Sequence, residues 1–200
     1  MGAINPYKPV LLLVAVFSVS EEAVQTAREL LEKEFGPIAK ESPVYSFNSF
    51  TNYYAKEMGN ELPKKFWVFE RLVDPGTLAD IKILTNRWEE EIGAKLYAEG
   101  KCPTPRPLNL DPGYIELGKL ILASTKDHAH RIYLRDGIYA ETTLIYTQKR
   151  WQALPWSYAD YQDSKNQEFF SECRKYLRGK FREKSAGRPR RRGRRAREIT

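Results

Sequence analysis

The sequence is poor in the residues that build metal and redox sites. It contains two cysteines, Cys102 and Cys173, and two histidines among its 200 residues. The cysteines lie far apart and form no CxxC pair, which excludes a zinc ribbon and a CxxC redox motif. We therefore expect two free thiols, as is usual in a reducing cytoplasm.

Long hydrophobic runs and standard nucleotide-binding loops are also lacking. The longest apolar run is Val10 to Phe17, eight residues, whereas a membrane-spanning helix needs about 20. No GxxxxGK[ST] loop, no GxGxxG turn after a strand and no GxSxG elbow occurs. Standard NTPase, dinucleotide and α/β-hydrolase sites are therefore not indicated. The sequence predicts a cytoplasmic protein that does not bind a membrane.

The positive net charge is confined to the C-terminus. The formal net charge is +7, and residues 184–200 alone hold eight Lys and Arg residues against one Glu. Residues 1–183 are left with 25 basic and 25 acidic residues, so that part of the chain is electrically balanced. We expect 1–183 to form a single domain and 184–200 a disordered Arg-rich tail, because the tail has too little apolar area to bury.

An Arg-rich tail binds polyanions without reading their sequence. One hypothesis is therefore an RNA-associated protein, with non-specific RNA or DNA contact through the tail; the alternative is an inert solvated end. Aromatic residues in the segments 51–59 and 155–161 could add stacking contacts to a base, or could cap the core. The candidate nucleic-acid-binding residues are Arg188, Arg190, Arg191, Arg192, Arg194, Arg195 and Arg197.

Hydrophobic periodicity predicts strands and helices along the body of the chain. The stretch Lys8–Phe17, which is apolar without interruption from Val10 onward, is typical of a strand that is covered on both faces. Ser20 is positioned as an N-cap and Gly36 as a stop signal, so we expect a helix between them. Further extended segments are predicted at 43–50, 65–70, 131–134, 138–147 and 151–154, and further helices at 75–97 and 163–180. Residues 115–123 have helical spacing and are predicted as a helix, with a short strand as the alternative.

Two motifs rich in turn-forming residues complete the prediction of the fold. Arg135-Asp136-Gly137 lies between two apolar runs and indicates a β-hairpin. Asp111-Pro112-Gly113 is expected to form a turn, because Pro restricts φ and Gly tolerates positive φ. The pattern as a whole predicts one α+β domain, with a mostly antiparallel sheet of about five or six strands and about three or four helices. A ferredoxin-like β–α–β beginning is compatible with this order.

The densest group of chemically active side chains lies between Asp111 and Glu141. It includes both histidines, His128 and His130, which would point to the same side of a strand. A metal site needs three or four ligands, and the pair has no third histidine elsewhere in the chain. We therefore predict no metal site here, and the sequence identifies no cofactor.

The same segment is cationic, which favours an anionic ligand. Lys126, His128 and Arg131 fall within six residues, and such side chains are natural partners of phosphate or carboxylate groups. Tyr114 and Tyr139 would pack against the ligand. The leading hypothesis is a domain that binds an anionic small molecule or a nucleotide-type ligand. The simpler alternative is a solvated loop in which Arg131 pairs with a carboxylate.

An enzymatic alternative uses the same residues. His130 would act as general acid and base, and Asp111 or Glu141 would orient it. A phosphoester or an acyl compound is the natural substrate class for a hydrolase or transferase of this kind.

Several motifs occur together along the chain and resemble one family in combination. They include Phe50-Thr51-Asn52-Tyr53-Tyr54, Asn109-Leu110-Asp111-Pro112-Gly113-Tyr114, Thr125-Lys126-Asp127, His130-Arg131-Ile132-Tyr133-Leu134 and Gly137-Ile138-Tyr139-Ala140-Glu141. Over residues 8–178 the chain resembles the uncharacterised prokaryotic family DUF4416. The resemblance implies a single bacterial or archaeal domain with a DPG hallmark, and it implies no activity. Asn52 departs from the Asp expected there, and the basic tail lies outside the resemblance.

Overall fold

A computed structural model describes residues 2–46 and 62–186, with side chains up to residue 183. Its strands are β1 (Val10–Ser18), β2 (Ile38–Glu41), β3 (Tyr45–Ser46), β4 (Pro63–Val73), β5 (Leu108–Ile115), β6 (Lys119–Ser124), β7 (Ile132–Arg135), β8 (Ile138–Thr147) and β9 (Arg150–Ala153). Its helices are α1 (Glu21–Phe35), α2 (Leu78–Ala98), α3 (Ala159–Gln162) and α4 (Ser164–Ala186). The α+β class is confirmed, with more strands than predicted.

The strands form one antiparallel sheet in the order β2-β4-β1-β5-β6-β8-β7. The short strand β3 pairs with β4, and β9 pairs with β8. Within this sheet, β1–α1–β2–β4–α2–β5 has the element order and strand order of a ferredoxin-like βαββαβ unit. Strands β6 to β9 extend the sheet beyond β5.

Strand β1 lies in the middle of the core, with β4 on one side and β5 on the other. Leu12, Val14 and Val16 pack in the cluster formed with α1 and α2. The alternate residues Leu11 and Leu13 pack in a second cluster with α4 on the opposite face. Because both faces of β1 are covered, every one of its side chains is buried, and this explains the unbroken apolar run.

The predicted signals at the ends of α1 and in the hairpin at residues 135–137 are confirmed. The Ser20 side chain accepts a hydrogen bond from the Ala23 amide, and Gly36 ends the helix with a φ of 85°. Strands β7 and β8 are joined by Asp136 and Gly137 with φ values of 53° and 75°. Two consecutive positive φ angles are the requirement of a tight hairpin turn of type I′.

Two predictions for residues 111–123 are wrong. Asp111-Pro112-Gly113 is not a turn but part of β5, and the predicted helix 115–123 is the end of β5, a short connection and β6. A Cβ on Gly113 would collide with the Ile121 carbonyl oxygen. Glycine is therefore needed for the close approach of two strands and not for a turn.

Pro112 is compatible with the strand because of the direction in which its backbone faces. The N–H and the carbonyl of Leu110 both bond side chains of α2, so this side of β5 points away from β1. Pro112, two residues along, faces the same way. Pairing of β5 with β6 begins at Gly113, so the missing N–H of Pro112 removes no bond from that ladder.

The C-terminal helix α4 continues to Ala186, past the predicted helix end at 180 and the predicted start of the tail at 184. The segment 51–59 and the arginines from Arg188 to Arg197 lie outside the described residues. Within residues 2–46 and 62–186, no helix has the length and apolar character needed to cross a bilayer.

A buried ion pair lies between β4 and α3. The Lys64 ammonium donates a hydrogen bond to the Asp160 carboxylate at 2.7 Å, and both side chains are almost fully buried. The Tyr45 hydroxyl donates to the same Asp160 oxygen at 2.9 Å. Residues Phe17, Phe66 and Tyr161 surround the ammonium with aromatic rings.

Candidate functional site

A cleft of about 510 Å³ opens where β5 and β6 diverge. The two strands pair from Gly113 to Ile115, and the first half of β5 faces α2 across the opening. Charged side chains reach the cleft from α2, from the connection 99–107, from β5, from the segment between β6 and β7, and from β8. They include Lys82, Glu89, Arg106, Asp111, Lys126, Arg131 and Glu141.

Two side chains of α2 satisfy the backbone of β5 at the cleft. Glu89 Oε1 accepts the Leu110 N–H at 2.8 Å. Lys82 Nζ donates to the Leu110 carbonyl at 2.9 Å and to Asp111 Oδ1 at 3.0 Å. Residues seven apart lie on one face of a helix, so Lys82 and Glu89 bond β5 as a neighbouring strand would do.

This arrangement moves the pKa values of the two carboxyl groups in opposite directions. Burial raises the pKa of Glu89 to about 7; the Asp111 charge adds to this rise and the Lys82 ammonium opposes it. Burial would also raise the pKa of Asp111, but the charges of Lys82 and Lys64 outweigh it and hold that pKa below its usual value. Near neutral pH, Asp111 is therefore ionised while Glu89 exchanges a proton.

Arg106 and Asn109 form one corner of the cleft. Arg106 Nη2 donates to Asn109 Oδ1 at 2.9 Å and lies 3.8 Å from Glu89 Oε2. Asn109 is only 2% exposed. Its side chain interacts with the Asp111 carboxylate and helps to lower the pKa of that group, but among the residues that the structure describes its Nδ2 has no acceptor at normal hydrogen-bond distance. A buried donor is costly when unsatisfied, so this amide is suited to bonding an acceptor oxygen in the cleft.

Arg131 forms the opposite wall and is held rigidly. Its Nε donates to Glu141 Oε2 at 2.8 Å, and its Nη1 donates to Ser124 Oγ at 2.6 Å and to the Lys126 carbonyl at 2.9 Å. Its Nη2 donates to the Tyr158 hydroxyl at 2.9 Å. The pairing of Arg131 with a carboxylate is present, as the simpler alternative had it, but the guanidinium is buried in the wall of the cleft and not on a solvated loop.

His130 lies beside the cleft and not among its lining residues. Its Nε2 is 3.2 Å from Glu141 Oε2. Its ring stacks on Trp156 at 5.0 Å on one side and on His128 at 5.7 Å on the other. The predicted contact between His130 and Glu141 therefore exists, but the histidine ring is enclosed in an aromatic stack at the rim.

The structure brings together four of the eight predicted site residues of the 111–141 segment as cleft lining: Asp111, Lys126, Arg131 and Glu141. It does not bring Tyr114 to the cleft, because Tyr114 packs against α2 and β6 in a separate apolar cluster. Tyr139 contacts the Tyr133 ring at 5.3 Å outside the cleft. Within the described parts of the chain, no three His, Cys, Asp or Glu side chains are close enough to hold a metal ion.

Sequence reasoning missed the side chains that α2 and its following connection bring to the cleft. Lys82 and Glu89 each follow a residue of the apolar stripe, Ile81 and Trp88, and they are seven residues apart. Two charges at that spacing, next to a buried stripe, were the available signal. Arg106 lies in a Pro-rich connection and gave no comparable signal.

Comparison with known proteins agrees with the family resemblance. A family model described as a domain of unknown function, DUF4416, matches residues 8–176. Searches of the curated proteins and of the solved structures find no significant match. The match spans β1 to the middle of α4 and includes the whole cleft. The chain therefore belongs to the DUF4416 family.

Proposed function

We propose that the cleft binds a small anionic molecule, of the sugar-phosphate or nucleotide type. The observation that carries this proposal is the corner formed by Arg106 and Asn109. The Asn109 Nδ2 is a buried donor that lines the cleft, and among the described residues no acceptor lies at normal hydrogen-bond distance from it. The Arg106 guanidinium lies beside it. Arginine donates in a planar fork that fits phosphate and carboxylate oxygens, so both groups would bond one anionic group.

The carboxylates of the cleft support a ligand that also carries hydroxyl groups. Asp111 and Glu141 line the same cleft, and ionised carboxylates accept hydrogen bonds from hydroxyl donors. A molecule with an anionic end and a hydroxylated body matches both halves of this lining. The volume of about 510 Å³ is within the usual range of small-molecule sites.

Two aromatic side chains at the rim fit a planar or sugar ring. Tyr158 lines the cleft and is exposed, and Trp156 is exposed beside it and stacks on His130. These residues take the packing role that the sequence suggested for Tyr114 and Tyr139. Aromatic faces stack well on a base or a sugar.

A second candidate function is supported by the contact between His130 and Glu141. A histidine oriented by a buried carboxylate is a common general acid and base. A hydrolase or transferase that acts on a phosphoester or an acyl compound would need its substrate to reach the His130 ring from the cleft. The RNA hypothesis rests on arginines outside the described residues and remains a separate prediction.

The experiment is a thermal-shift screen of the full chain against nucleotides, sugar phosphates and divalent metals. A ligand that binds the native state raises the melting temperature. We expect a hit that is lost in Asn109→Leu and in Arg106→Ala and retained in Arg87→Ala, an exposed arginine on the outside of α2. A screen without hits, or hits that both cleft variants retain, would refute the proposal.

A further inference from the structure

We propose that the cleft takes up its anionic ligand together with a proton, and that Glu89 holds this proton. The inference rests on the proposed function, since it concerns the same cleft and the same Arg106 corner. It adds that binding is linked to pH and that Glu89 is a hydrogen-bond donor in the bound state.

The geometry around Glu89 leaves it short of positive charge. Its side chain is only 8% exposed. The Lys82 ammonium lies 3.0 Å from Asp111 Oδ1 but 3.9 Å from Glu89 Oε1. This one cation is therefore close to two carboxylates and is hydrogen-bonded to that of Asp111. Arg106 Nη2 lies 3.8 Å from Glu89 Oε2, which is beyond direct hydrogen-bond distance.

The remaining charges of the cleft do not change this balance. Across the opening, Arg131 and Glu141 are bonded to each other and neutralise each other. Lys126 and Glu90 are exposed at the mouth, where water screens their charges. The groups that face Glu89 are therefore Lys82 on its own helix, Arg106 on the following connection, and Asp111 with the Leu110 N–H on β5.

Binding of an anion at Arg106 and Asn109 makes the ionised form of Glu89 less favourable. The anion would draw the Arg106 guanidinium toward itself and would bring a negative charge next to a buried carboxylate. Protonation of Glu89 removes that repulsion. Its Oε1 accepts the Leu110 N–H, so a proton on Oε2 would point toward the Arg106 corner and donate to an anionic oxygen.

The direction of the pH dependence follows from this linkage. The pKa of Glu89 is already about 7, and a bound anion raises it further. Binding then takes up protons near neutral pH, and affinity falls as the pH rises. Each unit by which the ligand raises this pKa makes binding about tenfold weaker at alkaline than at acidic pH.

The test uses sulfate as the probe, because sulfate does not titrate between about pH 6 and about pH 9. Backbone amide NMR of the full chain would follow sulfate titrations across that range. The Leu110 amide is the internal reporter, since it donates directly to Glu89. Glu89→Gln is the informative variant. Glu91→Gln is the matched control, because Glu91 lies on the same helix and pairs only loosely with Arg87 on the surface.

We expect the sulfate dissociation constant at the cleft amides to rise about tenfold from acidic to alkaline pH in the wild type and in Glu91→Gln. Glu89→Gln should bind with an affinity that is independent of pH. Saturable cleft binding with the same constant at every pH in the wild type would overturn the proton linkage and leave the proposed function standing. A pH dependence that persists in Glu89→Gln would also overturn it.

Absence of any saturable shift at the cleft amides would overturn the proposed function together with this inference. If Glu89→Gln does not fold, the wild type alone decides the question. The midpoint of the Leu110 amide shift against pH should then move to higher pH when sulfate is added. An unchanged midpoint, with sulfate bound, would refute the inference.

Discussion

Replacing Glu141 by Gln should destabilise the protein strongly. Glu141 and Arg131 have side chains that are 1% and 3% exposed, and their atoms are 2.8 Å apart. The substitution removes the negative charge and leaves the Arg131 guanidinium buried without its counter-charge. Breaking a buried ion pair from one side typically costs about 3–5 kcal/mol. The Glu141 carboxylate also accepts a bond from Thr143, so the expected loss is toward the upper end.

The assay is urea unfolding of the full chain followed by circular dichroism, with the free energy of unfolding extrapolated to water. Glu91→Gln is the control, because the Arg87–Glu91 pair is exposed and 3.6 Å apart. An exposed pair of this kind contributes at most about 0.5 kcal/mol. A loss below about 1 kcal/mol for Glu141→Gln would refute the reasoning, because removing one charge of the pair would then cost little although the pair is buried.

Two further predictions follow from the structure, and a third follows from the sequence of the tail. Gly113→Ala should lower the free energy of unfolding by about 1–3 kcal/mol or more in urea unfolding, because the added Cβ would collide with the Ile121 carbonyl oxygen. An unfolding midpoint equal to that of the wild type would contradict the close approach of β5 and β6 at this residue. The raised pKa of Glu89, about 7, means that the folded state binds more protons than the unfolded state between about pH 4.5 and about pH 7. The free energy of unfolding should therefore fall with rising pH in that window, and it should fall less steeply in Glu89→Gln than in the wild type. Equal slopes in the two proteins would contradict this prediction. The hypothesis of an RNA-associated protein requires that deletion of residues 187–200 abolishes binding to RNA in fluorescence anisotropy. An affinity that is unchanged by the deletion would rule out the tail as the RNA contact.

The parts of the fold that the sequence predicted correctly are those set by local interactions. Ser20 and Gly36 bound α1 through their own hydrogen bond and backbone angle. Asp136 and Gly137 adopt the positive φ angles that their turn requires. Such preferences act within a few residues and can therefore be recognised from the local sequence alone.

In the misassigned segment 111–123, strand pairing overrides the local sequence preferences. Leu117, Leu120 and Ile121 have helical spacing, and Pro with Gly usually marks a turn. Pairing with β1 overrides the turn signal, because β1 is buried on both faces and needs a partner strand on that side. Pairing of β6 with β5 and β8 overrides the helical signal. The role of Gly113 depends on the Ile121 carbonyl, which only the approach of β6 brings near.

The candidate site divides in the same way. The sequence by itself predicted that Asp111, Lys126, Arg131 and Glu141 would lie close together, because they fall within one short stretch of chain that ends in a hairpin. It did not predict the two strands, β5 and β6, that join the first two of these residues. It could not determine that Tyr114 faces away from the cleft, since the direction of a side chain depends on strand register. Only the tertiary structure decided the other half of the site. Packing of α2 along the unpaired side of β5 brings Glu89 to Leu110, and burial there is what sets its pKa.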